Sequence, residues 1–140
     1  MQKQENKATI RRLVEEVNKG SVPWGLFAPN CLFHTDDPRQ PRYDLPEFKE
    51  FIKDLLVAFP DYHLTVEDLI MEQDKVVALY RESGTMRGRF LNWAPTNKKY
   101  TQPAIEIYRI YNGKIVEIWM SRNQLAILSQ LGLEPTVATT

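Results

Sequence analysis

Residues 102–123, QPAIEIYRIYNGKIVEIWMSRN, decide how this chain folds. β-Branched and aromatic residues alternate with polar ones on both sides of Asn112-Gly113, a dipeptide suited to a two-residue type I′ turn because both central residues must take positive φ. The segment therefore reads as a β-hairpin. With a two-residue loop Tyr111 opposes Lys114, and the register that follows pairs Ile110 with Ile115, Arg109 with Val116, Tyr108 with Glu117, Ile107 with Ile118 and Glu106 with Trp119. Two faces separate. One carries Ile105, Ile107, Val116, Ile118 and Met120, with Arg109 and Tyr111 near the turn; the other carries Gln102, Ala104, Glu106, Tyr108, Ile110, Ile115, Glu117, Trp119, Ser121 and Asn123. The mixed face has the make-up of a ligand-cavity wall, apolar with a few placed polar groups. It equally suits the wet side of a sheet whose Ile/Val/Met side is the core, and the pattern leaves both open.

A chain of 140 residues forms one domain with a core that needs neither disulfide nor metal. That domain is expected over 1–135, with 136–140 as a frayed tail. Eighteen basic against 18 acidic residues leave no net charge, which argues against a nucleic-acid partner, since a phosphate backbone calls for a basic surplus on one face. The single cysteine, Cys31, excludes an intrachain disulfide and makes a zinc cluster implausible. The start, MQKQENKAT, has no apolar signal core, and no later run approaches membrane-spanning length. A soluble, cytoplasmic protein without membrane contact is the expectation.

Along the chain, Ala8, Ile10, Leu13, Val14 and Val17 give an amphipathic helix over 3–19 that Gly20 stops. Residues 21–29, SVPWGLFAP, form one docked helical turn, 31–34 a short strand, and 35–43 a proline-rich loop. Asp44-Leu45-Pro46-Glu47 is a capping box with proline in the first turn, and Phe48, Phe51, Ile52, Leu55, Leu56 and Phe59 make the buried stripe of a core helix ended by Pro60. Strands follow over 62–71 and 76–83, then a bend at 84–88, a brief continuation at 89–93 and a turn-rich link at 94–99. After the hairpin, Asn123 caps a short helix over 124–131, ended by Gly132 and Pro135. Helices first and antiparallel strands after them imply an α+β fold, a curved antiparallel sheet wrapped round N-terminal helices as a cone with an internal pocket.

Specific residues in that order resemble the SnoaL-like polyketide cyclases of the nuclear-transport-factor-2-like superfamily. The matching segments are Phe59-Pro60-Asp61, Gly84-Thr85-x-x-Gly88, Pro95-Thr96, Ile107-Tyr108-Arg109, Gly113-Lys114-Ile115-Val116-Glu117-x-Trp119 and Gln130-Leu131-Gly132. The resemblance implies the cone fold and a hydrophobic small-molecule substrate, and the absence of metal-ligand spacings and phosphate loops points to no metal or organic cofactor. Two positions depart from it. Family members that run an aldol cyclisation carry aspartate where this chain has Asn123, and commonly histidine where it has Met86. An amide cannot take a carbon-bound proton, so the usual acid/base step is in question here.

The candidate catalytic residues are therefore His34, Asn123, Glu106 and Glu117. Asn123 is either a substrate-orienting amide or a plain helix cap. Glu106 and Glu117 are general acid/base candidates in a dry cavity, or members of a solvated face or of a pair with an arginine such as Arg81. His34 is the nearby group with an unperturbed pKa close to neutrality, and equally a structural histidine. Trp119, Tyr108, Trp93, Met86, Arg81 and Phe59 are candidate substrate contacts. His63 is too far from His34 in pattern to share a metal with it, and Cys31 reads as an inert buried thiol. Two functions stay open: a cofactor-free cyclase or isomerase acting on a hydrophobic oxygenated molecule such as a polyketide or terpenoid intermediate, and a non-catalytic ligand-binding or dimerisation module. A homodimer built through the Ile105, Ile107, Val116, Ile118, Met120 face is expected, because an apolar patch of that size seldom stays wet.

Overall fold

Asn112 and Gly113 take φ of 50° and 73°, as their turn demands, and Tyr111 faces Lys114 across it. The hairpin they close belongs to one sheet of six strands, β1 (Phe27–His34), β2 (Arg42–Tyr43), β3 (His63–Glu72), β4 (Lys75–Thr85), β5 (Lys99–Tyr111) and β6 (Lys114–Arg122), in the order β2-β1-β6-β5-β4-β3. The computed structural model describes residues 2–133; the expected tail lies outside them. β1 runs parallel to β6, and every other pairing is antiparallel.

The hairpin register differs from the expected one after its first two pairs. Ile110 faces Ile115, but Arg109 then faces Glu117, Tyr108 faces Ile118, Ile107 faces Trp119 and Glu106 faces Met120. Val116 is an extra residue, a β-bulge, and a one-residue slip turns every later side chain to the other side of the sheet. Ile118 is therefore buried at 3% exposure, with Met120 packed against the same core. Glu117 and Trp119 point the opposite way. On β5 the alternation holds as read, with Ala104, Tyr108 and Ile110 buried and Ile105 exposed.

Three helices cover one side of this sheet. Helix α1 (Gln2–Asn18) buries Ile10, Leu13 and Val14 at the three-four spacing that puts them on one stripe, while Ala8 stays exposed. The Asn18 amide fastens its end to β3, accepting from the Leu64 N–H at 2.8 Å and donating to the Leu64 carbonyl at 2.9 Å. After one 3-10 turn at Trp24–Leu26, β1 starts at Phe27, four residues earlier than expected. Helix α2 (Leu45–Ala58) has the expected capping box, with Asp44 and Glu47 each bonded to the other's backbone N–H at 2.9 Å. Its Phe48 ring stacks on Phe33 of β1 with centroids 3.9 Å apart. Helix α3 (Gln124–Gln130) begins at Asn123, whose side chain accepts from the Ala126 N–H at 3.0 Å.

Several segments that resembled the cyclases prove to be joints. The Asp61 carboxylate takes both the Thr85 N–H and the Thr85 hydroxyl at 2.7 Å, tying the corner after α2 to the end of β4. Gly84 fits because a Cβ there would meet the Phe59 ring at 3.2 Å, and Gly88 because one would meet the Val57 carbonyl at 3.1 Å. The Gln130 side chain accepts from the Thr101 N–H at 2.9 Å and donates to its carbonyl at 3.1 Å, fixing α3 to β5 as a strand would. Residues 89–93 do not continue β4. They fold back on themselves, with Phe90 and Trp93 exchanging backbone bonds at 3.1 and 3.0 Å.

Desolvation pushes the Asp61 carboxyl up, but the Thr85 bonds outweigh it and hold it below the usual carboxylate value. A depressed folded value means the stabilisation is present above the unfolded carboxylate range and is lost as pH falls through the folded one. Asp61→Ala should therefore cost about 1 kcal/mol at neutral pH, modest because the residue is exposed. In urea unfolding the gap between variant and parent should close as the pH drops below about 4.

Candidate functional site

On the helix-covered side of the sheet, β4 reads Val76, Ala78, Tyr80, Glu82: four alternating positions, all buried, the last a carboxylate at 2% exposure. A charge so deep must be paired. Arg122, at the end of β6, supplies the partner, with its Nε 3.2 Å from one Glu82 oxygen and an Nη 3.1 Å from the other. The same Nη donates to Glu106 at 2.8 Å, so one guanidinium holds two carboxylates. Tyr62 donates to Glu82, and Tyr100 lies near enough to feel its charge. Tyr108 donates to the free Glu106 oxygen at 2.7 Å and lies 2.8 Å from the Tyr80 hydroxyl. With the Tyr108 proton committed to Glu106, Tyr80 is the donor of that last pair.

This constellation sits between two apolar clusters. Ile10, Leu13, Phe33, Phe48 and Tyr80 belong to the larger; Phe59, Met86, Tyr100, Ile127 and Leu131 form the smaller, and Tyr62 touches both. Its electrostatics follow from burial. Burial works against the charged guanidinium, but Glu82, Tyr62 and Glu106 outweigh it and hold Arg122 well above the usual range. Desolvation is the first cause that raises Tyr62, Tyr80, Tyr100 and Tyr108, with a neighbouring carboxylate second in each case. All four hydroxyls are thus kept protonated, as donors. Chemically the cluster offers two carboxylates with fixed orientation and hydroxyls aimed at them.

Of the residues singled out in the sequence, Glu106 and Tyr108 lie here. His34, Glu117 and Trp119 come together on the opposite side. There His34 Nε2 is 2.6 Å from Glu117, whose other oxygen is 3.2 Å from Arg109. The His34 and Trp119 rings stack at 5.2 Å, and Arg109 and Lys75 stand 5.7 and 5.6 Å from the Trp119 centroid. The bulge at Val116 accounts for the separation, since it turns Glu117 and Trp119 away from Glu106. Asn123 is exposed, committed to its cap, and borders an open depression of ≈ 320 Å³ with Ser121 and Pro103. Arg81 is exposed on β4 and lies 3.8 Å from Glu67. Phe59 and Met86 are buried in the smaller cluster with Trp93 packed on it. Cys31 is fully buried, and desolvation followed by Glu117 pushes its thiol up to about 12. Among the described residues no three of His, Cys, Asp or Glu are grouped to hold a metal, and no helix is long and apolar enough to cross a membrane.

Sequence reading missed Glu82, Arg122, Tyr62, Tyr80 and Tyr100. A signal was available for Glu82, the one charge in line with Val76, Ala78 and Tyr80 on a strand of period two. Arg122 was hidden behind the bulge.

The two arginine sites should respond differently to removal of the cation. Arg122→Met leaves two buried carboxylates facing each other and should cost about 3–5 kcal/mol in chemical unfolding. Arg109→Met, on the partly exposed side, should cost under about 1 kcal/mol. Because the four tyrosines titrate higher folded than unfolded, their contribution to stability should be constant below the unfolded value of about 10 and fall as pH rises above it. Thermal unfolding between neutral and strongly alkaline pH reads this directly.

Comparisons with known proteins place this geometry. Residues 8–131 match the SnoaL-like polyketide cyclase family. Among solved structures the chain is similar to AclR, a candidate hydroxylase from Streptomyces galilaeus, at 25% identity and a TM-score of 0.85, covering 94% of this chain and 98% of that one. It is similar at 26% identity to IdmH, a candidate polyketide cyclase from Streptomyces antibioticus, with a TM-score of 0.78 over 91% of this chain and 99% of that one. An NTF2-like protein from Burkholderia pseudomallei shares the fold at 16% identity and a TM-score of 0.76, covering 91% and 97%. No curated protein matches the chain significantly. With a family match that spans nearly every described element of an NTF2-like α+β cone, the chain belongs to the SnoaL-like polyketide cyclase family.

Proposed function

We propose that this chain is a cyclase-type enzyme acting, without metal or organic cofactor, on a hydrophobic oxygenated molecule such as a polyketide or terpenoid intermediate, with Glu106 as its acid/base. The observation that carries the proposal is the Glu106 carboxylate, 12% exposed and held between Arg122 and the Tyr80–Tyr108 pair inside a cyclase-family cone. In this reading the substrate occupies the helix-covered side, between the two apolar clusters. Glu106 takes a proton from a carbon next to a carbonyl, the resulting enolate carbon attacks a second carbonyl of the same molecule, and the proton is returned to the new alkoxide. The buried Arg122 guanidinium beside Glu106 supplies positive charge close to the oxygens on which negative charge develops. Asn123, standing where aldol-type members carry aspartate, keeps the role of a cap. His34 and Glu117 take no part, because they face away from Glu106.

A second reading, a ligand-binding module without turnover, is favoured by one observation: both oxygens of Glu82 and of Glu106 already have donors. Conversion separates the two. With a polycyclic β-keto ester as surrogate, the parent protein should convert it and Glu106→Gln should lower turnover by about 10²–10⁴ while the fold persists. Asn123→Ala should lose about 1 kcal/mol of stability with turnover unchanged. Surrogate bound without conversion by the parent protein supports the module instead.

The proposal also includes a homodimer, in the cytoplasm, through the sheet side opposite the helices. The outward register places Leu32, Ile70 and Ile105 there, each at least 39% exposed, in place of the Ile118 and Met120 first expected. Sedimentation at micromolar concentration should report a dimer, and a stable monomer rejects this part.

A further inference from the structure

Residues 87–98 join β4 to β5 across the end of the cone, over the smaller apolar cluster. Their backbone is held at the two ends. Arg87 and Gly88 both donate to the Ala58 carbonyl at 2.9 and 3.1 Å, while Met86 and Lys98, then Asn97 and Met86, are bonded at 3.0 and 2.9 Å. Between these anchors the tip is closed only on itself, through the Phe90 and Trp93 pair. Leu91, at that tip, has φ of 54° and is 62% exposed. A leucine in the left-handed region is strained, and an apolar side chain in water gains nothing to offset it.

What keeps the tip down is side-chain packing. The Phe90 ring lies edge-on between Phe51 and Phe59, 6.0 and 5.8 Å from their centroids, and Trp93 packs on the same cluster. The Thr96 hydroxyl rests 3.8 Å from the Met86 sulfur, which is otherwise fully buried. Behind Phe90 the contacts lead inward: the Phe59 ring is 5.6 Å from that of Tyr100, and Tyr100 lies near enough to Glu82 to feel its charge. Lifting the tip thus breaks aromatic contacts and no backbone bond to the body of the protein, and it uncovers Phe59, whose ring separates Phe90 from Tyr100.

We propose that residues 87–98 are a lid, anchored at Met86–Gly88 and Asn97–Lys98, with Phe90 as the plug over Phe59, behind which lie Tyr100 and Glu82. Its role as the substrate's entrance rests on the reading of the Glu82–Arg122–Glu106 cluster as the working site; the opening itself does not. Segments with few backbone ties to the core open locally, far more often than the whole domain unfolds.

Two measurements test it. In native-state hydrogen exchange of the unmodified chain, the Phe90 and Trp93 amides should exchange together and at least about tenfold faster than those of Met86 and Asn97 in the stem. Tip amides as protected as the stem overturn the proposal. In thiol labelling with Ellman's reagent, Met86→Cys should react at least about tenfold faster than the native Cys31, which only wider unfolding exposes, and adding Phe90→Ala should speed it by about tenfold more with Cys31 unchanged. Equal labelling of the two thiols overturns the lid. Should Met86→Cys not fold, exchange on the unmodified chain decides alone. A lid found by exchange in a protein that converts no surrogate leaves the lid standing and rejects only the catalytic reading.

Discussion

Val116 has no partner across the β5–β6 ladder, and the assignment of everything on β6 to an inside or an outside follows from that one extra residue. Before it, Ile115 is in the core. After it, Ile118, Met120 and Arg122 turn inward and Glu117, Trp119 and Ser121 turn outward. Were the ladder regular, the guanidinium of Arg122 would lie in solvent and Glu82 would have no cation, a state the fold could not sustain for a carboxylate at 2% exposure. The bulge and the buried ion cluster are therefore one design: a backbone irregularity delivers a cation to the buried Glu82 and Glu106 carboxylates.

Two constellations of like chemistry result, one on each side of the same strands. Each joins an arginine to carboxylates, and each has aromatic company. Inside, water is excluded, attraction between opposite charges is several times what it is in solvent, and every hydroxyl must find a partner. Outside, His34, Glu117 and Arg109 keep 21–39% of their side-chain surface in water, so their ion pairs contribute little and can rearrange. Orientation and low dielectric, rather than residue type, mark the inner set as suited to chemistry.

How much of this was legible in the sequence depended on the period of the signal. The helix caps at Asp44 and Asn123, the Asn112-Gly113 turn and the inward face of β5 all follow local rules, and local rules can be read from neighbours. The Glu106 and Tyr108 pairing with the core was therefore within reach. The bulge was not, because nothing in Ile115-Val116-Glu117 distinguishes an extra residue from a paired one; Val116 suits either place. Every residue placed by counting beyond it, Trp119 and Glu117 above all, was put on the wrong side relative to Glu106. The short segment 89–93 was misread for a related reason: Phe90 and Trp93 have strand-like character, yet the pair serves a turn whose direction is set by contacts with α2, distant in sequence.

The parallel pairing of β1 with β6 has a consequence for how the chain comes into being. His34 meets Glu117 across 83 residues, and the strand that receives β1 is the last of the sheet to be made. The meander of β3 to β6 can zip from its tight turns and receive α1 on β3, but β1, with Phe33 and Cys31 committed to a core, has no strand to join until β6 is present. Folding of such a topology is limited by a late, non-local closure. During synthesis the early strand and its aromatic residues wait exposed, so the N-terminal part of this protein is the part most dependent on protection from aggregation before the C-terminal strand arrives.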